Sequence, residues 1–374
     1  MSSNGGNDST ETLTVSRRGV IASVGTALTL SATPAVAKRD DTTEIPYVVT
    51  DDEVLKHKKV PQPWLEHTRH VLHARADLED PVEPTSGSQS VGVARSSETY
   101  GGKPGLKIQV ATDARAQSVV PSDVRGVEVE AVEKEDWRTA CYYDTPDNIT
   151  GGLPIEARWE EGGQSYTGWG TAGLPVKDSN GNERLLTADH LWENKPCQSS
   201  EGEEATQYTQ DFGKVAESQA EPDFALVEKT NSSLSLSDGI HEENRTLSVS
   251  GWFPEEAISE LVSEGKSVHK MGVTTGKTTG TIDAMNQSLG NGCGNLENRG
   301  VVVNGIEVGE GDSGGPMYRI EDVLGTKHAV LVGHTTHATN INDTASCIGE
   351  DRDIGRKAAG HAWFHKNNEY DITI

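Results

Sequence analysis

From about residue 141 onward, apolar residues come in short runs broken by glycine and turn dipeptides. The runs read YTGWGTAGLPV, then DSNGNE as a turn, then RLLTADH, and later DFALVE, TLSVSGW, SVHKMGVTTG, TGTIDAM, GVVVNGIEV and AVLVGHTTH. Short runs bounded by turn signals predict the strands of a sandwich or barrel. Only PEEAISELVSEG (254–265) and the C-terminal IGRKAAGHAWFHKN carry a helical pattern there. Upstream, residues 106–110 and 127–132 alternate apolar and polar around a polar connection, which predicts a small β-x-β unit. The stretch 38–90 is charged and punctuated by proline, with one short helix predicted in PWLEHTRHVLHARADLED. The chain therefore divides into a leader (1–37), a charged linker or pro-region (38–90), a small α/β accessory segment (91–140) and an all-β domain (141–374).

Composition sharpens this picture. Hydrophobic residues are 33% and aromatic residues 5%, against 24% charged and 40 glycines, which suits a loop-rich β protein with a lean core. Acidic residues outnumber basic ones 58 to 33, a formal charge of −25. That sign excludes nucleic acid and anionic membranes as partners, because phosphate neutralisation needs Lys and Arg. A carboxylate-coated surface stays hydrated where salt screens its self-repulsion, as in proteins from very salty environments.

The leader reads as an address. Arg17 and Arg18 precede a mildly apolar run over 19–30 and then Ala35-Val36-Ala37, which resembles a twin-arginine export signal with its cleavage site. A membrane anchor is the alternative, but Ser, Thr and Gly dilute a run already short for a bilayer span. Four cysteines follow, Cys141, Cys197, Cys293 and Cys347. In an exported chain they suggest disulfides, with three pairings possible, and no spacing matches a C-x-x-C metal site. His67, His70 and His73 share a helical spacing but lack a fourth ligand, so a solvated face is expected and no metal.

The chemistry concentrates in GEGDSGGPMY (309–318). Gly311-Asp312-Ser313-Gly314-Gly315 fits G-x-S-x-G, the strand-turn-helix elbow of α/β-hydrolases, yet Pro316 follows at once and MYRI is strand-like. It fits G-D-S-G-G-P better. There the glycines turn the backbone so that the amides of Gly311 and Ser313 face one spot, where they can hold an oxyanion, worth about 3–4 kcal/mol per donor. A serine hydroxyl needs a base oriented by a carboxylate. His190 ends the apolar strand of RLLTADH, and Asp223 opens the apolar strand of DFALVE. Asp211 in TQDFGK is the competing carboxylate, although no buried strand follows it. Asp189, beside His190, is expected to face the other way.

TADH, DFALV and GDSGGP in this order resemble the trypsin-like, chymotrypsin-fold serine proteases, and KMGVTTGKTTGTI resembles a segment of their streptogrisin-like prokaryotic branch. The resemblance covers residues 151–365. It implies a double six-stranded β-barrel with a C-terminal helix, Ser313 as nucleophile, His190 as base, Asp223 as its orienting carboxylate and Gly311 with Ser313 as oxyanion donors. It also implies Cys293–Cys347 and Cys141–Cys197 disulfides, no cofactor, and protein or peptide substrates. With the leader and the acid excess, the family resemblance suggests a haloarchaeal extracellular protease. Glu307 falls near the family's pocket base, which would favour Arg or Lys at the cleaved position. His334, Thr336 and His337 in VGHTTHAT fall near the pocket wall, where a histidine could receive an acidic side chain instead. There are departures. No cysteine adjoins His190, no I-V-G-G start exists, and Asp312 has no assigned partner. Two rival readings stand beside this one: a catalytically inactive trypsin-like binding module, and an α/β-hydrolase-type esterase with His334, His337, His361 or His365 as base.

Overall fold

The computed structural model describes residues 42–76, 90–112, 120–133, 147–192, 198–207, 210–242, 245–290, 296–339, 343–347 and 350–374, with a few isolated positions between them. Within 154–229, six strands close a barrel. Gln164–Thr171 and Leu174–Lys177 are two halves of one bent strand, the first paired with Pro154–Glu161 and the second with Glu183–Thr187. From Pro154–Glu161 the ring runs through Glu204–Gln207, Gln210–Gln219 and Phe224–Lys229, and returns to Glu183–Thr187. Gly173 sits at the bend because a Cβ there would lie 2.7 Å from the carbonyl oxygen of Gly314 and 2.8 Å from that of Leu186. Alternate residues point inward, so Ile155, Ala157, Leu185, Phe212, Val215 and Val227 fill the interior.

The second barrel closes in the same way over residues 267–362. Ser267–Gly272 pairs with Gly276–Gly290, then come Leu296–Gly309, Glu350–Ala362, Thr326–Thr339 and Pro316–Val323, which pairs back onto Ser267–Gly272. Val268, Ile282, Val301, Val303, Met317, Leu331 and Val332 line its core. With the helix Trp363–Tyr370 after the last strand, the chain has the expected chymotrypsin-like double barrel. The predicted helix at 254–265 forms as Glu255–Glu264, ended by Gly265 in the left-handed conformation (φ 61°). The C-terminal helix is shorter than the sequence suggested. Its first half, including Ala358, Ala359 and Gly360, belongs to a strand paired on both sides, where small residues admit close neighbours: a Cβ on Gly360 would lie 1.7 Å from the carbonyl oxygen of His334.

The accessory region is more ordered than a linker. Thr42–Val49 and Val54–Pro61 form a hairpin, followed by the helix Gln62–Ala76 and the strands Ser90–Tyr100 and Lys103–Thr112. Lys103–Thr112 and Val127–Glu133 are parallel, the β-x-β unit read from the sequence. Ser90–Tyr100 pairs with Gly276–Gly290 of the second barrel, so the two share a sheet. Tyr47, Val71, Leu106 and Ile108 join the same core cluster as Phe253, Ile258 and Leu261. Part of the charge is spent inward: Lys58 and Lys103 both pair with the fully buried Glu260, and Lys56 pairs with Glu321. His67 Nε2 meets the Leu106 main chain and His70 Nε2 the Arg125 carbonyl, so these two histidines serve the accessory segment's own packing.

Candidate active site

His190 follows the strand Glu183–Thr187, in the short 3-10 turn Asp189–Trp192. Asp223 ends the turn that leads into Phe224–Lys229, the strand hydrogen-bonded to Glu183–Thr187, so neighbouring strands of one barrel bring the two residues together. The His190 amide donates to Asp223 Oδ1 at 3.0 Å, and His190 Nδ1–H donates to Oδ2 at 2.7 Å. Both carboxylate oxygens are therefore committed to one residue. Nδ1 carries the proton, which leaves the Nε2 lone pair as the basic site. Burial pushes Asp223 upward, but the charge and hydrogen bonds of His190, with His337 nearby, hold its carboxyl well below the usual carboxylate range. Asp211 lies exposed on Gln210–Gln219.

Ser313 comes from the second barrel, in the turn between Leu296–Gly309 and Pro316–Val323. A strand rather than a helix follows it, so the α/β-hydrolase elbow is absent. Gly311 (φ 101°) and Gly314 (φ 90°) occupy backbone space that L side chains rarely adopt, and a Cβ on Gly314 would lie 2.2 Å from the Thr171 carbonyl oxygen. The turn is seated on the first barrel. Thr171 N donates to the Ser313 carbonyl at 2.7 Å, and Thr171 Oγ1 donates to the Gly311 carbonyl. Gly314 and Thr335 tie the turn to the strand Thr326–Thr339 through Gly314 N to Thr335 O and Thr335 N to Gly315 O, both 2.7 Å. Among the described residues, nothing accepts from the amides of Gly311 and Ser313. Ser313 is nearly buried, and its hydroxyl lies 3.4 Å from the Thr336 carbonyl.

Asp312, left without a partner by the sequence, meets Lys270. Lys270 Nζ is 2.6 Å from Asp312 Oδ2, with both side chains at 0% exposure. Burial pushes the Lys270 ammonium below the usual lysine range, and the Asp312 carboxylate opposes that fall. Thr274 N donates to Oδ1 at 2.8 Å, while Thr275 Oγ1 and Gly309 N donate to Oδ2 at 2.8 and 3.0 Å. All these donors except Gly309 come from KMGVTTG, whose sequence resemblance had been noted without a role for its lysine.

The expected pocket residues have different surroundings. Glu307 is about half exposed and its carboxylate pairs with Arg356 Nη1. His334 is 1% exposed and donates from Nε2 to the Asp223 carbonyl at 3.0 Å, which commits it to the Asp223 main chain. Thr336 is buried, with Oγ1 2.5 Å from His337 Nδ1, and the His337 ring centroid lies 6.4 Å from that of His190. His361 is buried beside His334, and His365 contacts Glu369 and Asn286. Cys141, Cys197 and Cys293 lie outside the described residues, as does the side chain of Cys347, so both expected disulfides fall there too.

Asp189 carries a testable cost. Burial raises its carboxyl from 3.8 to about 6, the Ser200 and Ser218 hydroxyls opposing and the Asp223 charge adding to the rise. A carboxyl raised on folding contributes stability below its unfolded value, and that contribution is lost as pH rises through the folded value. Asp189→Asn is thus expected to gain little at pH 3.5 and to be more stable than the parent above pH 7, by about 2 kcal/mol. Denaturant midpoints of both proteins across this window check the sign.

No protein-family model matches the chain, and no curated protein matches it. Solved structures similar to it include Nocardiopsis protease (NAPase), 20% identical, covering 60% of this chain and 98% of that one with a TM-score of 0.39. Thermobifida fusca protease A is 19% identical over 60% and 97% (TM-score 0.38), and Cellulomonas bogoriensis chymotrypsin 20% over 61% and 98% (TM-score 0.38). At these scores the likeness adds nothing to the strand pairings, on which the double barrel stands.

Proposed function

We propose that the protein is an exported serine endopeptidase of the trypsin-like kind, with Ser313 as nucleophile, His190 as general base and Asp223 as the carboxylate that orients it. The observation that carries this reading is the double hydrogen bond from His190 to Asp223, with a glycine-bracketed serine, its two amides unspent, in a turn that packs at Gly314 against Thr187 and Ala188 just before His190. Ser313 Oγ attacks the peptide carbonyl carbon as His190 Nε2 takes its proton. Asp223, held ionised, stabilises the imidazolium without itself accepting the proton. The tetrahedral oxyanion settles on the amides of Gly311 and Ser313. The imidazolium then protonates the leaving amine, and a water molecule, deprotonated by His190, releases the acyl group. The twin arginines and Ala35-Val36-Ala37 support export of the folded chain.

Cleavage specificity does not come from Glu307 in this reading, because Arg356 already neutralises it. Glu307→Gln is expected to change the ratio of cleavage after Arg or Lys to cleavage after apolar residues by no more than about threefold, the scale of an exposed ion pair. A collapse of Arg and Lys cleavage, read from a peptide-library digest, would return Glu307 to the pocket base.

The reading is tested by incubating the salt-folded protein with denatured casein and identifying new peptide termini by mass spectrometry. Cleavage by the parent and none by Ser313→Ala supports it. No cleavage by a demonstrably folded parent favours the binding-module alternative.

A further inference from the structure

Asp223 holds a backbone conformation that carboxylate chemistry alone does not demand. Its φ is +52°, in the left-handed region that a residue with a Cβ enters at a cost and that Asp tolerates better than most. It closes the turn 220–223, whose ends are fixed by the pairing of Gln219 with Phe224. Both carboxylate oxygens are spent on His190, so their aim depends on the peptide that carries them.

That peptide is gripped from the other barrel. The Asp223 carbonyl oxygen lies 3.0 Å from His334 Nε2. A carbonyl can only accept, which requires His334 to carry its proton on Nε2. His334 sits on Thr326–Thr339, opposite Pro316, just past Ser313, on one side and opposite His361 on the other. Burial, with the Lys366 ammonium nearby, disfavours protonation of the ring. Its Nδ1 is then a buried acceptor with no partner among the described residues. An apolar side chain would fill this space without stranding a polar atom, so packing does not account for the imidazole and the Nε2 bond does.

We infer that His334 is a positioning residue: its Nε2–H, reaching across from the second barrel, fixes the Asp223 carbonyl and thereby sets the His190–Asp223 pair in register with Ser313. This rests on the reading of Ser313, His190 and Asp223 as a working triad. The bond joins Thr326–Thr339, the sheet partner of the strand Pro316–Val323 that leaves the nucleophile turn, to the turn that holds the carboxylate. Without it, the left-handed turn is free to relax and swing the His190 ring away from Ser313.

The experiment compares the parent with His334→Leu, His334→Met and His334→Gln on a chromogenic peptide, with unfolding midpoints for all four. Gln keeps an amide donor at similar reach, whereas Leu and Met fill space and donate nothing. The expected result is a kcat lower by about ten- to a hundredfold in the Leu and Met variants, the scale of a misplacement of roughly 1 Å, with KM little changed. Gln should recover most of that loss. If Leu fails to fold, Met against Gln decides. Equal activity in all variants, or Gln impaired as much as Met, overturns the inference while leaving the triad standing. A folded parent that is itself inactive overturns both.

Discussion

His190→Ala is expected to lower kcat by about a million-fold and Asp223→Asn by about ten-thousandfold, with the unfolding midpoint of the first little changed. The two numbers differ for a physical reason. In the proposed mechanism, removing the imidazole removes the base that takes the serine proton, and the remaining catalysis is what the amides of Gly311 and Ser313 would supply. Replacing Asp223 leaves the ring in place but offers it an amide, which can fix the wrong tautomer and puts the proton on Nε2, where the base should be. The Asp223 variant is also expected to lose stability, since its carboxyl is held ionised by two bonds from His190. A group depressed in this way contributes stability above its unfolded value and loses it as pH falls through the folded one. Kinetics on a chromogenic peptide, with a denaturant melt of each variant, measure both effects. A His190→Ala protein that retained activity would redirect the search for the base to His334, His337, His361 or His365.

Lys270→Met is the second large effect. It is expected to cost about 3–5 kcal/mol, because it strands the Asp312 carboxylate at 0% exposure without its cation. The consequence reaches the chemistry. Asp312 lies between Gly311 and Ser313, and its two oxygens collect donors from Gly309, Thr274 and Thr275 around the same turn. With the ammonium gone, the carboxylate is driven toward solvent and takes the two amides with it. Activity should therefore fall with stability, and adding Asp312→Asn should restore part of the stability by removing the uncompensated charge. A Lys270→Met protein with unchanged melting and turnover would show that the pair is idle. Asp312 thus has its counter-charge within the chain, from Lys270.

How much of this could be read from the sequence differs residue by residue. The strand runs around TADH, DFALV and GDSGGP carried the all-β architecture, and TADH and DFALV held the pair that meets, His190 and Asp223, because a strand end followed by His190 and an apolar strand opened by Asp223 are local patterns. Lys270 was passed over because a lysine in a strand reads as solvent-facing, and only the closed barrel puts it opposite Asp312. Lys58 and Lys103 hid in the same way, since Glu260 lies far along the chain and its burial cannot be read from charge. The Ala- and Gly-rich stretch before Trp363 mimicked a helix because small residues suit helices as well as strands squeezed between two neighbours. His334 resembled a pocket wall by position in the chain. Its side chain turns to the Asp223 carbonyl, a direction that only three-dimensional structure supplies.

The central claim is that Ser313 is a nucleophile activated by His190. The most direct measurement is labelling of the salt-folded protein with a fluorophosphonate probe, followed by peptide mapping, with His190→Ala alongside. The account predicts label on Ser313 in the parent and its loss in His190→Ala. A folded parent that takes no label, or a label on Ser313 that survives without His190, would contradict it.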